Sequence, residues 1–235
     1  MIILHGENST QTRSHLVEAL DQARAENSQV IRLEAKNLNP ADLEQAIGAT
    51  SLFEKPQLIV IEYLHSLPRS KRKNDLIKQL ANLAESADES TQIILLEKRS
   101  LTKTMLKQFT TAEVKEAKLT KYLFSWLDSL QGGLGSSSRL KNSLNLLDDA
   151  ISQDGEMMCF IMLARQIRLL IQTKDGGKVA GPPFMVSKLK KQAASFSLDG
   201  LLALHQQLLT IDYGIKTSTD ALSVRQQLDL FIIKL

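Results

Sequence analysis

Only one cysteine, Cys159, occurs in the 235 residues. A single thiol excludes an internal disulfide framework and any zinc site built on clustered cysteines. No apolar run reaches the roughly 18 residues a membrane span needs, and no cationic-then-apolar leader opens the chain. The expectation is therefore a cytoplasmic protein with no membrane partner. Charge of one sign is also scarce. The net charge is +3, with 17 basic and 16 acidic residues before Ser125 and 12 and 10 from there on. Neither half is a strongly basic nucleic-acid module, although a mild contact with phosphates stays open. Aromatic residues make up only 5%. His5, His15, His65 and His205 are scattered without ligand spacing, so no metal is expected. No Ser-His-Asp set or carboxylate pair suggests catalysis, and Cys159 lies on an apolar helix as a core residue.

Apolar residues are plentiful, at 43%, enough for a sizeable core. In the first half they alternate between two patterns. Short apolar runs at residues 1–5, 30–33, 58–61 and 93–96 read as buried strands. Between them, Leu16, Val17, Leu20 and Ala23, then Leu43, Ala46 and Ile47, then Leu76, Ile77, Leu80 and Leu83 fall at helical spacing. Continuous apolar strands separated by helices predict an α/β domain with a parallel sheet covered on both faces. The second half reads as helix. Met157 to Ile171 form one stripe, Pro182-Pro183 open another helix, Ser197 suits an N-cap, and Val224 to Leu235 carry the last stripe. Residues 132–138, with three glycines and three serines, read as a flexible connection. The expected division is an α/β domain over 1–125, a linker over 126–142 and a helical domain over 143–235.

Gly6 ends the first strand and a polar loop is expected over Glu7 to Thr12, the placement of a phosphate-binding loop. The required Gly-Lys-Ser/Thr is missing. Gln11, Thr12 and Arg13 stand in those positions, so the second glycine, the compensating lysine and the magnesium-binding hydroxyl are all absent. A P-loop-shaped domain without nucleotide hydrolysis and without a cofactor follows. Glu62, ending the third strand, reads as a solvent-edge carboxylate. Two basic stretches, Arg69, Lys71, Arg72 and Lys73, then Lys98, Arg99, Lys103 and Lys107, read as solvated surface with a possible contact to DNA backbone. Ser51-Leu52-Phe53 places two large apolar residues in a polar connection, where they are either core or offered to a partner.

Residues 48–62, Gly-Ala-Thr-Ser-Leu-Phe-Glu-Lys-Pro-Gln-Leu-Ile-Val-Ile-Glu, resemble the S-L-F segment and following strand of the bacterial DNA polymerase III delta subunit. Three C-terminal stretches resemble motifs of the same family: Leu163 to Leu170 with Arg165 and Arg168, Pro183-Phe184 to Lys188-Leu189, and Asp212 to Thr217 with Lys216. The resemblance implies an AAA+-like P-loop domain with a parallel sheet and an inactive ATP site, followed by an all-α collar domain. The lid between them is reduced to a remnant. It further implies a non-catalytic clamp-loader subunit that binds and opens the sliding clamp, the polymerase beta subunit. Ser51, Leu52 and Phe53 would be the clamp-binding wedge, and the collar would join the other clamp-loader subunits. Primed-template DNA would be a partner of the assembled complex. The competing readings are a delta-prime-type subunit, whose Ser-Arg-Cys motif and cysteine zinc module are missing here, and an atypical P-loop ATPase.

Overall fold

The computed structural model describes residues 1–48, 56–88, 90–133 and 136–235. Ser51, Leu52 and Phe53 lie outside the described residues. The chain divides into two compact units, Met1–Lys118 and Leu119–Leu235.

The first unit is α/β. Its strands are β1 (Ile2–Gly6), β2 (Gln29–Glu34), β3 (Gln57–Glu62), β4 (Thr91–Leu96) and β5 (Glu113–Ala117). They form a five-stranded sheet in the order β2-β3-β4-β1-β5, every pairing parallel. Helices α1 (Ser9–Ala25), α2 (Pro40–Gly48) and α3 (Lys71–Ser86), with the short α4 (Lys103–Leu106), connect them. Successive strand residues point to opposite faces, and both faces are buried. Leu58, Val60, Ile94 and Leu96 pack with Leu16 and Ala23 of α1. Ile59, Ile61, Ile93 and Leu95 pack with Leu43 of α2 and Leu76 and Leu80 of α3.

β5 has no counterpart in the sequence reading. Its residues Glu-Val-Lys-Glu-Ala are mostly charged, and Val114 is 42% exposed. It forms as an edge strand held by the backbone, with Glu113 N–H donating to Met1 O at 3.0 Å and a ladder to β1.

The second unit contains α5 (Lys121–Ser129), α6 (Ser137–Asp154), α7 (Glu156–Lys174), α8 (Pro183–Ala194), α9 (Leu198–Thr217) and α10 (Val224–Ile233). Trp126, Cys159, Leu163, Ile167, Leu201 and Phe231 anchor one core. The division falls after Lys118, earlier than the sequence suggested, because Trp126 and its helix belong to this core. Thr120 opens α5, and its N–H donates to buried Asp154 Oδ1 at 3.1 Å while its hydroxyl donates to Oδ2. The expected linker over 126–142 holds the end of α5 and the start of α6. Gly132 N–H donates to Ser195 Oγ, and Gly133 N–H donates to Leu235 O at 2.9 Å. Ser197 caps α9 as its sequence position predicts, accepting from Gly200 N–H at 3.0 Å.

Candidate functional site

Open α/β sheets take ligands at the carboxyl ends of their strands, where the strand order reverses. Here that place is the turn after β1. The polar loop expected over residues 7–12 is only two residues long, since α1 begins at Ser9. Asn8 caps the helix, its Oδ1 accepting from Gln11 N–H at 3.0 Å. The Thr12 hydroxyl is buried and donates to Asn8 O at 2.9 Å. Asn8 N–H donates to Ala117 O at 3.0 Å, closing the turn against β5. Gly6 permits that approach. It has φ +140°, and a Cβ added there would collide with the Ala117 backbone. A phosphate-binding loop instead leaves successive amides free to point at its anion. Of the four expected loop residues, Gly6 serves sheet packing, Gln11 and Thr12 serve the helix cap, and Arg13 is exposed on α1. Glu62 pairs with Arg32 of the neighbouring strand, Nε to Oε1 at 3.0 Å, as a strand-edge carboxylate does.

Beside the turn lies a buried polar group that spacing alone did not suggest. Glu97 follows β4, and its Oε1 accepts from His65 N–H at 2.7 Å and contacts His65 Nδ1 at 3.0 Å. His5 is buried at the end of β1, where its Nδ1 accepts from Leu101 N–H at 3.2 Å. Burial pushes the His5 pKa down, opposed in part by Glu116 and Glu97, so the imidazole is kept neutral. Among the described residues no group of His, Cys, Asp or Glu is arranged to hold a metal.

The first basic stretch divides by role. Arg72 donates to Leu38 O from Nε at 3.2 Å and to Lys36 O from Nη2 at 3.0 Å, tying α3 to the turn before α2. Lys73 Nζ donates to His65 O and, at 2.9 Å, to Leu67 O. Both cations are therefore committed to backbone carbonyls. Arg69, Lys71 and Arg99 are exposed, and Lys98 lies 4.1 Å from the Tyr63 ring centroid.

In the helical unit, α5, α7 and α8 enclose an apolar groove of about 360 Å³. It brings together Arg165, Phe184 and Lys188, residues of two separate motifs. Pro183 begins α8 and so sets the position of Phe184. Arg168, one turn beyond Arg165, is exposed but is not a lining residue. Asp212 and Lys216 pair with each other on α9 at 2.7 Å and do not line the groove. Cys159 is packed in the core, where burial, reinforced by Asp154, pushes its thiol up to about 12.

An AAA+-like α/β unit whose phosphate turn is closed, followed in the chain by an all-α unit, defines the class of architecture. The family model for "DNA polymerase III, delta subunit" matches residues 6–119, and that for "DNA polymerase III delta subunit, C-terminal domain" matches residues 136–235. The chain belongs to the delta-subunit family of the DNA polymerase III clamp loader. The solved structure titled "Bacillus subtilis DNA clamp loader delta protein (YqeN)" aligns with a TM-score of 0.48 and 16% identity, over 99% of this chain and 94% of that one. No curated protein sequence matches the chain. No helix among the described residues is long and apolar enough to cross a membrane.

Proposed function

We propose that the chain is the clamp-opening subunit of its clamp loader and performs no chemistry itself. Membership of the delta family carries this reading, and the closed turn at Glu7–Asn8 supports the inactive nucleotide site. Ser51-Leu52-Phe53, in the connection between α2 and β3, would insert into an apolar pocket of the sliding clamp. A subunit that binds the open ring better than the closed one shifts the population toward open by that difference in affinity. ATP hydrolysis then belongs to partner subunits, to which the helical unit attaches. Arg69, Lys71, Lys98 and Arg99 are the cations left for DNA phosphate in the assembled complex. Arg72 and Lys73, also proposed from sequence, are the weaker candidates because carbonyls already occupy them. The setting is the cytoplasm.

The test is the double variant Leu52→Ala/Phe53→Ala, with clamp affinity and unfolding midpoint measured on the same preparation. Two apolar anchors at about 2 kcal/mol each predict an affinity loss of roughly three orders of magnitude with the midpoint unchanged. Undiminished binding by the folded variant overturns the wedge. So does a stability loss of about 5 kcal/mol, which would mark the pair as core.

A further inference from the structure

The turn after β4 is pinned at both ends by histidines. At its start, Glu97 N–H donates to Leu4 O at 2.8 Å, and the Glu97 carboxylate accepts from His65 N–H at 2.7 Å and contacts His65 Nδ1 at 3.0 Å. At its end, Leu101 N–H donates to His5 Nδ1 at 3.2 Å, across 96 positions of sequence. Between the pins, Lys98, Arg99 and Ser100 are exposed. The two pins answer protonation differently. A carboxylate accepts from the His65 ring whether that ring is neutral or charged, so acid leaves the first pin in place. A ring nitrogen that accepts an amide proton must itself be unprotonated, so an imidazolium at position 5 cannot hold Leu101.

His5 is buried, and with Nδ1 accepting, the neutral ring carries its proton on Nε2. That nitrogen is buried too and has no hydrogen-bond partner among the described residues. The closed arrangement therefore holds an unsatisfied donor, which narrows its advantage over an open one. Burial keeps the ring neutral at pH 7; Glu116 on β5 and then Glu97 pull toward the imidazolium, while Lys118 beyond β5 and His65 oppose it. We infer that His5 is a proton-operated latch on the turn over 97–101: neutral, it holds the far end, and protonated, it rotates toward the neighbouring carboxylates and lets that end swing about Glu97. The turn carries Lys98 and Arg99, so opening it displaces two of the cations proposed for DNA phosphate. That consequence rests on the DNA contact proposed above, whereas the latch does not.

The experiment follows the full, isotope-labelled chain by NMR from about pH 7.5 down to about pH 5. The His5 ring nitrogens should report the Nε2–H tautomer at the upper end and titrate with a midpoint below the ordinary 6.5. The Leu101 amide should shift with that same midpoint. Its exchange protection, corrected for the intrinsic rate, should fall at least about tenfold through it, while the amides of β1 and β4 stay protected. His5→Asn, whose side-chain oxygen stands where Nδ1 does and does not titrate, should keep Leu101 protected across the whole range. His5→Leu, which offers no acceptor, should expose it already at the upper end; if that variant does not fold, the wild-type and His5→Asn titrations decide alone. A Leu101 amide that ignores the His5 titration overturns the latch, as does a proton on Nδ1 at neutral pH. So does an His5→Asn chain that opens with the wild-type midpoint, or a loss of protection at Leu101 that comes only together with the sheet.

Discussion

Replacing Gly6 with alanine separates the two jobs a glycine can have after the first strand of such a sheet. A Cβ there would stand 2.6 Å from the Ala117 carbonyl carbon and 2.7 Å from its nitrogen, closer than real side chains come to backbone. The φ of +140° adds strain of about 1–3 kcal/mol for any residue with a side chain. Relief requires β5 to retreat from β1. That stretches the Asn8 N–H to Ala117 O bond, now 3.0 Å, at a further cost of about 1 kcal/mol. The expected total is about 2–4 kcal/mol, a large share of the 5–15 kcal/mol typical of a domain. Urea unfolding followed by circular dichroism measures it directly. A glycine kept for phosphate approach would behave differently, with stability nearly unchanged and nucleotide binding altered. A loss below about 1 kcal/mol would refute the packing role assigned to Gly6.

The closed turn predicts that millimolar Mg-ATP leaves the thermal midpoint where it is. A site filled to one hundred times its Kd would instead add about 2.7 kcal/mol. Cys159, with its thiol raised to about 12, should react with a thiol reagent at pH 8 only on the timescale of unfolding, and fast labelling of native protein would contradict its burial. His5 has a folded pKa below its ordinary 6.5, so the unfolded chain takes up a proton first as pH falls. Stability should therefore decline with acidification from about pH 6.5 down to the folded pKa. His5→Gln should flatten that slope, and an unchanged slope would remove His5 as its source.

What could be read from the sequence depended on whether the deciding contacts were local. β3 and β4 were legible because their runs are apolar on both faces, the mark of a strand buried in a parallel sheet. β5 was not, since its charged residues carry no burial pattern and its place comes from backbone bonds to β1. The turn after Gly6 looked long because residues 7–12 are polar. Yet Asn8 followed three residues later by Gln11 is a cap signal, and the helix begins there. Arg72 and Lys73 looked like surface charge because Arg72's partners lie more than thirty residues away and Lys73's are main-chain atoms, which leave no trace in side-chain pattern. The groove motifs were visible one by one, but their convergence came only from how α5, α7 and α8 pack.

The cations make the same point energetically. Those singled out from sequence divide into ones the fold has used and ones it has not. Arg72 and Lys73 hold backbone carbonyls, which would be left unsatisfied without them. Lys188 and Lys216 sit in exposed pairs, worth at most about 1 kcal/mol each, so a partner can take them over at little cost. Arg165, Arg168, Arg69, Lys71 and Arg99 have no ion pair among the described residues, so they are the cheapest charges to bring to an interface. Of these, Arg165 also lines an apolar groove. Charge alone marks a surface that attracts many partners weakly, whereas charge beside a shaped apolar channel selects one. Function in this chain should therefore be sought first where the two coincide.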